Sequence, residues 1–213
     1  MCVLAIWIAA APACKAADQP DRRDYEEGPL GAADFTAAIP ADTSGKLAYT
    51  TTELIYDLTY RYTGRGNRFE VRIESLKVRA VVVRSASWNR RPRDSQLMDH
   101  EQGHFDLTYI AALRFRSRFA GVQRSTGTGT GLDEAVQNLR DKVDRAMRES
   151  NEQVKQDHRD YDRITDHGIR LKEQSEQRRL QKEKIQELIG KSEGKGKSER
   201  DRDPAPRDDA KRP

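Results

Sequence analysis

Cysteine and histidine are both scarce in this chain of 213 residues, with 2 of the first and 4 of the second. Cys2 and Cys14 fall at the extreme N-terminus, so the body of the chain has no internal disulfide and no thiolate to offer a metal. Any ion bound there must be held by imidazole and carboxylate. Apolar residues are also few, 35% against an equal 35% charged, so a compact core can occupy only part of the length. Nor is there a large excess of one charge. The 39 basic residues face 35 acidic ones, a mixed, solvated surface that argues against a nucleic-acid partner. The densest basic patch, "NRRPR" at Asn89–Arg93, reads as a surface loop.

No apolar run is long enough to cross a bilayer. The longest, Val3 to Ala11, ends in small residues and fits a secretory signal peptide over 1–17, with the bacterial periplasm or envelope as destination. Cleavage after "APA" (Ala11–Ala13) would make Cys14 the first mature residue. Lipid attached there is the one route to the membrane, and soluble export is the alternative. The opposite end, 191–213, is charged and free of large apolar side chains, so it is expected to be disordered.

The domain itself is expected over 46–190, after an extended or irregular lead-in over 18–45 that is rich in Ala, Pro and Asp. Leu54, Tyr56, Leu58, Tyr60 and Tyr62 alternate with mostly polar neighbours, the period-two pattern of a strand with one buried face. "TGRGN" (Thr63–Asn67) supplies a turn, and the alternation resumes at Phe69, Val71 and Ile73. At Glu74–Ser75 the phase slips before Leu76, Val78, Ala80 and Val82, which predicts a bulge or a tight turn and two or three antiparallel strands in all. A helix follows from about Asp94 to Phe119, with Phe105 and Leu113 against the sheet. "STGTGTG" (Ser125–Gly131) reads as a flexible break. Beyond it Leu132, Ala135, Val136, Leu139, Val143, Ala146 and Met147 recur at helical spacing, and Val154 and Tyr161 prolong the stripe. A very polar last helix is expected from Ile169 to Ile189, stopped by Gly190. Trp88 is expected in the core, with a groove lining as the alternative.

Two of the four histidines stand four residues apart in "LMDHEQGHFDL" (Leu97–Leu107), inside the first helix. Residues i and i+4 share a helix face, so His100 and His104 can share one ion with Glu101 beside it. This is the HExxH arrangement of zinc hydrolases. Zinc acidifies water, the glutamate takes the proton as that water attacks a carbonyl, and it then returns the proton to the leaving amine. Gly103 breaks a local rule, because glycine inside a helix costs about 1 kcal/mol relative to alanine. Its missing side chain would let a neighbouring segment come close. A catalytic zinc normally takes a third protein ligand. His158 and His167 are the remaining histidines, an acidic ligand such as Asp162 is a further candidate, and no HxxGxxH continuation follows His104. Asp106 could orient a ligating imidazole.

"LMDHEQGHFDL" together with "YDRITDHG" (Tyr161–Gly168) resembles the bacterial family catalogued as domain of unknown function 922, described as predicted secreted zinc-dependent proteases. The resemblance runs from about Leu47 to Leu180. It implies metal ligands at His100, His104 and His167, Glu101 as catalytic base, and Tyr161 and Asp162 in oxyanion assistance or ligand orientation. The chain departs from the family in its long charged C-terminal extension and in a strand region that reads as short. The resulting expectation is an α+β domain, a short antiparallel sheet packed on a zincin-like HExxH helix and followed by long helices. Its expected work is hydrolysis of a polypeptide substrate, with zinc as cofactor and the Leu76–Val83 strand as a candidate edge for substrate. Two rivals stand beside it: an envelope protein without enzymatic activity that binds a partner through its C-terminal helices, and a zinc hydrolase acting on something other than peptides.

Overall fold

The computed structural model describes residues 21–120 and 125–200. The expected signal peptide, Cys14 and the end of the charged tail lie outside the described residues. At the centre is a long hairpin of β3 (Thr52–Arg65) and β4 (Arg68–Val83). Gly66, at φ +62°, opens the two-residue turn that pairs Arg65 with Arg68, where a positive φ suits the strand twist. The sheet is therefore not short: strands of 14 and 16 residues far exceed the usual length of about 5–6.

The phase slip in the sequence is a β-bulge. Thr59 pairs with Ser75 while Tyr60 pairs with Ile73, which leaves Glu74 as the extra residue. That one insertion keeps Val71 and Ile73 on the same face as Leu76, Val78, Ala80 and Val82. With β3 on one edge of β4, its other edge takes β1 (Arg22–Asp24) at Val81–Val83 and β6 (Thr126–Gly129) at Phe69–Arg72. Strand β6 lies within the stretch expected to be a flexible break. Its glycines are demanded by packing, since a Cβ on Gly127 would sit 2.2 Å from the carbonyl oxygen of Ala135. A second, two-stranded sheet pairs β2 (Ala48–Tyr49) with β5 (Trp88–Asn89), and Trp88 is buried in it. The loop after it exposes Arg90, Arg91 and Arg93.

Three helices complete an α+β fold with antiparallel sheets: α1 (Ser95–Arg118), α2 (Leu132–Thr165) and α3 (Leu171–Arg200). Asp94 caps α1 by accepting from the amides of Gln96 and Leu97, and Arg116 and Arg118 face the negative end of its dipole. Helix α1 is buried on nearly every side. Its Phe105, Ile110, Ala112, Leu113 and Phe115 meet Val78, Ala80 and Val82 of β4, Val143 and Ala146 of α2, and Leu188 of α3. Helix α3 continues past Gly190, because that glycine keeps a helical φ instead of the left-handed one that ends a helix. The segment 21–45, expected as an irregular lead-in, contributes β1 and two single-turn 3-10 helices, and its Tyr25 stacks on Tyr109 with ring centroids 3.9 Å apart. Among the described residues no helix is long and apolar enough to cross a membrane.

Candidate metal centre

His100 and His104 lie one turn apart on α1, both buried, and their rings stand edge to face with centroids 4.9 Å apart. Both Nε2 atoms turn to the same oxygen of α2. Asp162 Oδ1 is 3.1 Å from His100 Nε2 and 3.0 Å from His104 Nε2. Ligands around a tetrahedral zinc, each about 2.1 Å from the ion, are about 3.4 Å from one another. The three donor atoms all lie within 4.8 Å of one another, and two imidazoles with one carboxylate are a donor set zinc accepts. The residues present therefore fit such an ion. His167 stands at the rim, its Nδ1 3.5 Å from the same oxygen and its side chain 57% exposed.

The approach of α2 to α1 depends on two glycines. A Cβ on Gly103 would lie 2.2 Å from the Tyr161 hydroxyl and 2.5 Å from its Cζ, so the tyrosine occupies the space an ordinary side chain would fill. Its ring stacks on His100 at 4.9 Å and meets His104 edge-on at 5.1 Å. The ring is what faces the imidazoles, and the buried hydroxyl makes no hydrogen bond among the described residues. Burial pushes the Tyr161 hydroxyl well above the ordinary phenol range, so it stays protonated. At the end of α2 three successive residues turn left-handed: Asp166 at φ +50°, His167 at +52° and Gly168 at +89°. This turn brings Gly168 against His100, where a Cβ would be 3.2 Å from the histidine Cβ. Just before it, buried Thr165 donates to the Tyr161 carbonyl at 2.8 Å and sets its own oxygen 3.5 Å from His100 Nδ1.

Glu101 is also buried, and its Oε2 accepts a hydrogen bond from the Thr50 hydroxyl. Thr50 follows β2, and the neighbouring Thr51 is tied to Ser87 and Ala86, so the donor is fixed. Glu101 thus has one carboxylate oxygen held in place by Thr50. His158 lies behind His104, with ring centroids 4.9 Å apart and its Nε2 3.3 Å from Thr108 Oγ1. Burial, with a smaller contribution from the neighbouring His104, pushes its pKa down to about 3, so it is neutral at physiological pH. Burial resists ionisation of Asp162, but hydrogen bonds from His100 and His104 outweigh it and hold the carboxyl well below the usual range.

Asp106 does not meet a ligating imidazole. It is buried, accepts from Tyr25 at 2.9 Å and Gln102 at 2.7 Å, and pairs with Arg178 of α3. The structure thus brings His100, Glu101, His104, Tyr161 and Asp162 together, with His167 on the rim and His158 behind. Thr50 was not legible in the sequence, because nothing in a lone threonine 51 residues from Glu101 signals the contact. Asp162 was legible as an acidic alternative to the histidines for the third ligand, and as half of the Tyr161–Asp162 pair.

Residues 32–168 match the model of a family described as a bacterial protein of unknown function (DUF922), and the chain belongs to that family. No curated protein and no solved structure matches it.

Proposed function

We propose that this chain is an exported zinc-dependent hydrolase that cleaves peptide bonds, with His100, His104 and Asp162 holding the ion and Glu101 as general base. The observation that carries this reading is the convergence of His100 Nε2, His104 Nε2 and Asp162 Oδ1 beside a buried glutamate. Zinc bound there would polarise a substrate carbonyl and make nearby water acidic. Glu101, with Oε2 held by Thr50, takes a proton from the attacking water and delivers it to the amine nitrogen as the C–N bond breaks. Tyr161 and Thr165 keep the His100 ring in place, and His158 backs His104. The apolar N-terminal run supports a position outside the cytoplasm.

This reading replaces His167 with Asp162 as third ligand and leaves His167 facing the approach to the site. It also adds a second candidate substrate edge. Within the Leu76–Val83 strand, Val81 and Val82 are paired on both sides, by β1 and β3, whereas β2 pairs with β5 alone and leads directly into Thr50. The partner-binding rival rested on the apolar stripe of α2 and on the very polar last helix. Ala135, Leu139, Val143, Ala146, Val154 and Tyr161 are buried within the protein itself, which weakens it.

The test is to measure bound zinc in the purified protein and hydrolysis of an unfolded protein substrate beside Glu101→Gln. One zinc per chain, with cleavage lost in the variant and zinc retained, is expected. Full cleavage by Glu101→Gln would refute the base. Zinc without cleavage of any polypeptide would favour a non-peptide substrate.

A further inference from the structure

Helix α3 lies beyond the segment matched to the family, yet it reaches the metal-binding turns of α1 through one buried cation. Arg178 Nε donates to Asp99 Oδ1 at 3.1 Å, and its Nη1 pairs with Asp106 Oδ2 and donates to Gln181 at 2.7 Å. Asp99 immediately precedes His100, and Asp106 lies two residues beyond His104. They are seven residues apart, two helical turns, so a single guanidinium spans the stretch that carries His100, Glu101 and His104. Gln174, one turn earlier on α3, adds donations to the Gln96 carbonyl and to Asp99, both at 3.1 Å. The side chains that seat α3 here are polar: Gln174, Arg178 and Gln181 are all buried, in a helix whose sequence is very polar throughout.

Two aspects of this contact exceed what holding a helix requires. Arginine's planar fork satisfies two carboxylates at once, where a lysine is a single point charge. The two carboxylates also flank the ligand-bearing turns, and Asp106 is only 2% exposed. Leucines at these positions would pack the helices without fixing the rotation of α1 about its axis, whereas a two-carboxylate clamp fixes it.

We infer that Arg178 is a positioning residue for the metal centre, and that docking of α3 and metal binding are thereby coupled. The inference rests on the reading that His100, His104 and Asp162 bind a metal. By linkage, whatever loosens α3 weakens the metal, and the bound metal in turn tightens α3.

The test uses the full chain. Zinc affinity is measured by competition with a chromophoric chelator in the parent, Arg178→Gln, Arg178→Lys and the double variant Arg178→Gln/Asp106→Asn. The visible spectrum of the cobalt-loaded proteins reports ligand geometry, and circular dichroism and urea unfolding report the fold. Arg178→Gln should bind zinc about 10–100-fold more weakly while folded, with an altered cobalt spectrum, as loss of a supporting partner does elsewhere. Arg178→Lys should fall between it and the parent. The double variant removes the carboxylate charge left unpaired, so it should regain stability without regaining zinc affinity. If zinc affinity returns with it, stray charge was the cause and the clamp is overturned. Parental affinity and spectrum in folded Arg178→Gln overturn it too. Should Arg178→Gln not fold, Asp99→Asn removes the more exposed arm, and parental zinc affinity there and in Arg178→Lys is equally fatal. A parent that binds no zinc overturns the metal reading itself; a parent and variants that bind equally overturn only the coupling.

Discussion

Gly103→Ala and Gly190→Ala are the same chemical change within two helices, and the structure assigns them opposite signs. Exchanging a mid-helix glycine for alanine gains about 1 kcal/mol from backbone entropy. At Gly190 nothing lies within 4 Å of the added methyl, so most of that gain should appear as stability. At Gly103 the methyl would lie 2.2 Å from the Tyr161 hydroxyl, 2.5 Å from Cζ and 2.8 Å from Cε1. Restoring ordinary contact requires the ring to withdraw by about 1.2 Å. Tyr161 is 2% exposed and its ring is in contact with both His100 and His104, so there is nowhere to withdraw without moving α2 or the imidazoles. Overpacking of this kind costs about 2–3 kcal/mol, which after the helix gain leaves a net loss of about 1–2 kcal/mol. Urea unfolding of the three proteins at one pH reads both signs directly. Zinc affinity should fall in Gly103→Ala and stay unchanged in Gly190→Ala. The packing argument is refuted if Gly103→Ala is as stable as Gly190→Ala and binds zinc like the parent.

Asp162→Asn should abolish stoichiometric zinc binding while His167→Ala weakens it at most modestly, and equilibrium dialysis of both decides the third ligand. The reverse order would return that role to His167. Thr50→Val should leave zinc affinity intact but cost about 1–3 kcal/mol in urea unfolding, because a buried carboxylate loses its donor, and Thr50→Ser should restore it. His158 gives a pH dependence. Its pKa falls from about 6.5 unfolded to about 3 folded, so below pH 6.5 the unfolded chain binds the extra proton. The stability it contributes is fully present above about pH 6.5 and is lost as pH falls towards 3, at up to about 1.4 kcal/mol per pH unit. Metal-free His158→Gln should therefore lose less stability than the metal-free parent between pH 7 and 5. Equal slopes would mean that His158 titrates normally.

How far the sequence could be read depended on the distance over which each feature is determined. The strand alternation, the bulge at Glu74, the Asp94 cap and the His100–Glu101–His104 face are fixed by neighbours within a few residues, and each was legible. Strand β6 was not, because a run of glycine and threonine looks like a flexible break until α2 packs on it and leaves no room for side chains. Helix α3 was legible as a very polar helix, but its inward face was not, for a related reason. Gln174, Arg178 and Gln181 carry no apolar signature, and only the buried Asp99 and Asp106 on another helix explain why such residues face inward. The same holds at the candidate metal centre. Periodicity places Asp162 one residue past the Tyr161 stripe, an ordinary position for a solvated aspartate. Its meeting with His100 and His104 follows from Gly103, whose missing Cβ lets α2 lie close enough for Tyr161 to settle between the imidazoles. Gly103 was visible in the sequence as a broken helix rule, and the structure supplies its reason. A glycine that local propensity opposes therefore predicts that another segment comes close, and the groups beside it on that segment are the first to examine as ligands.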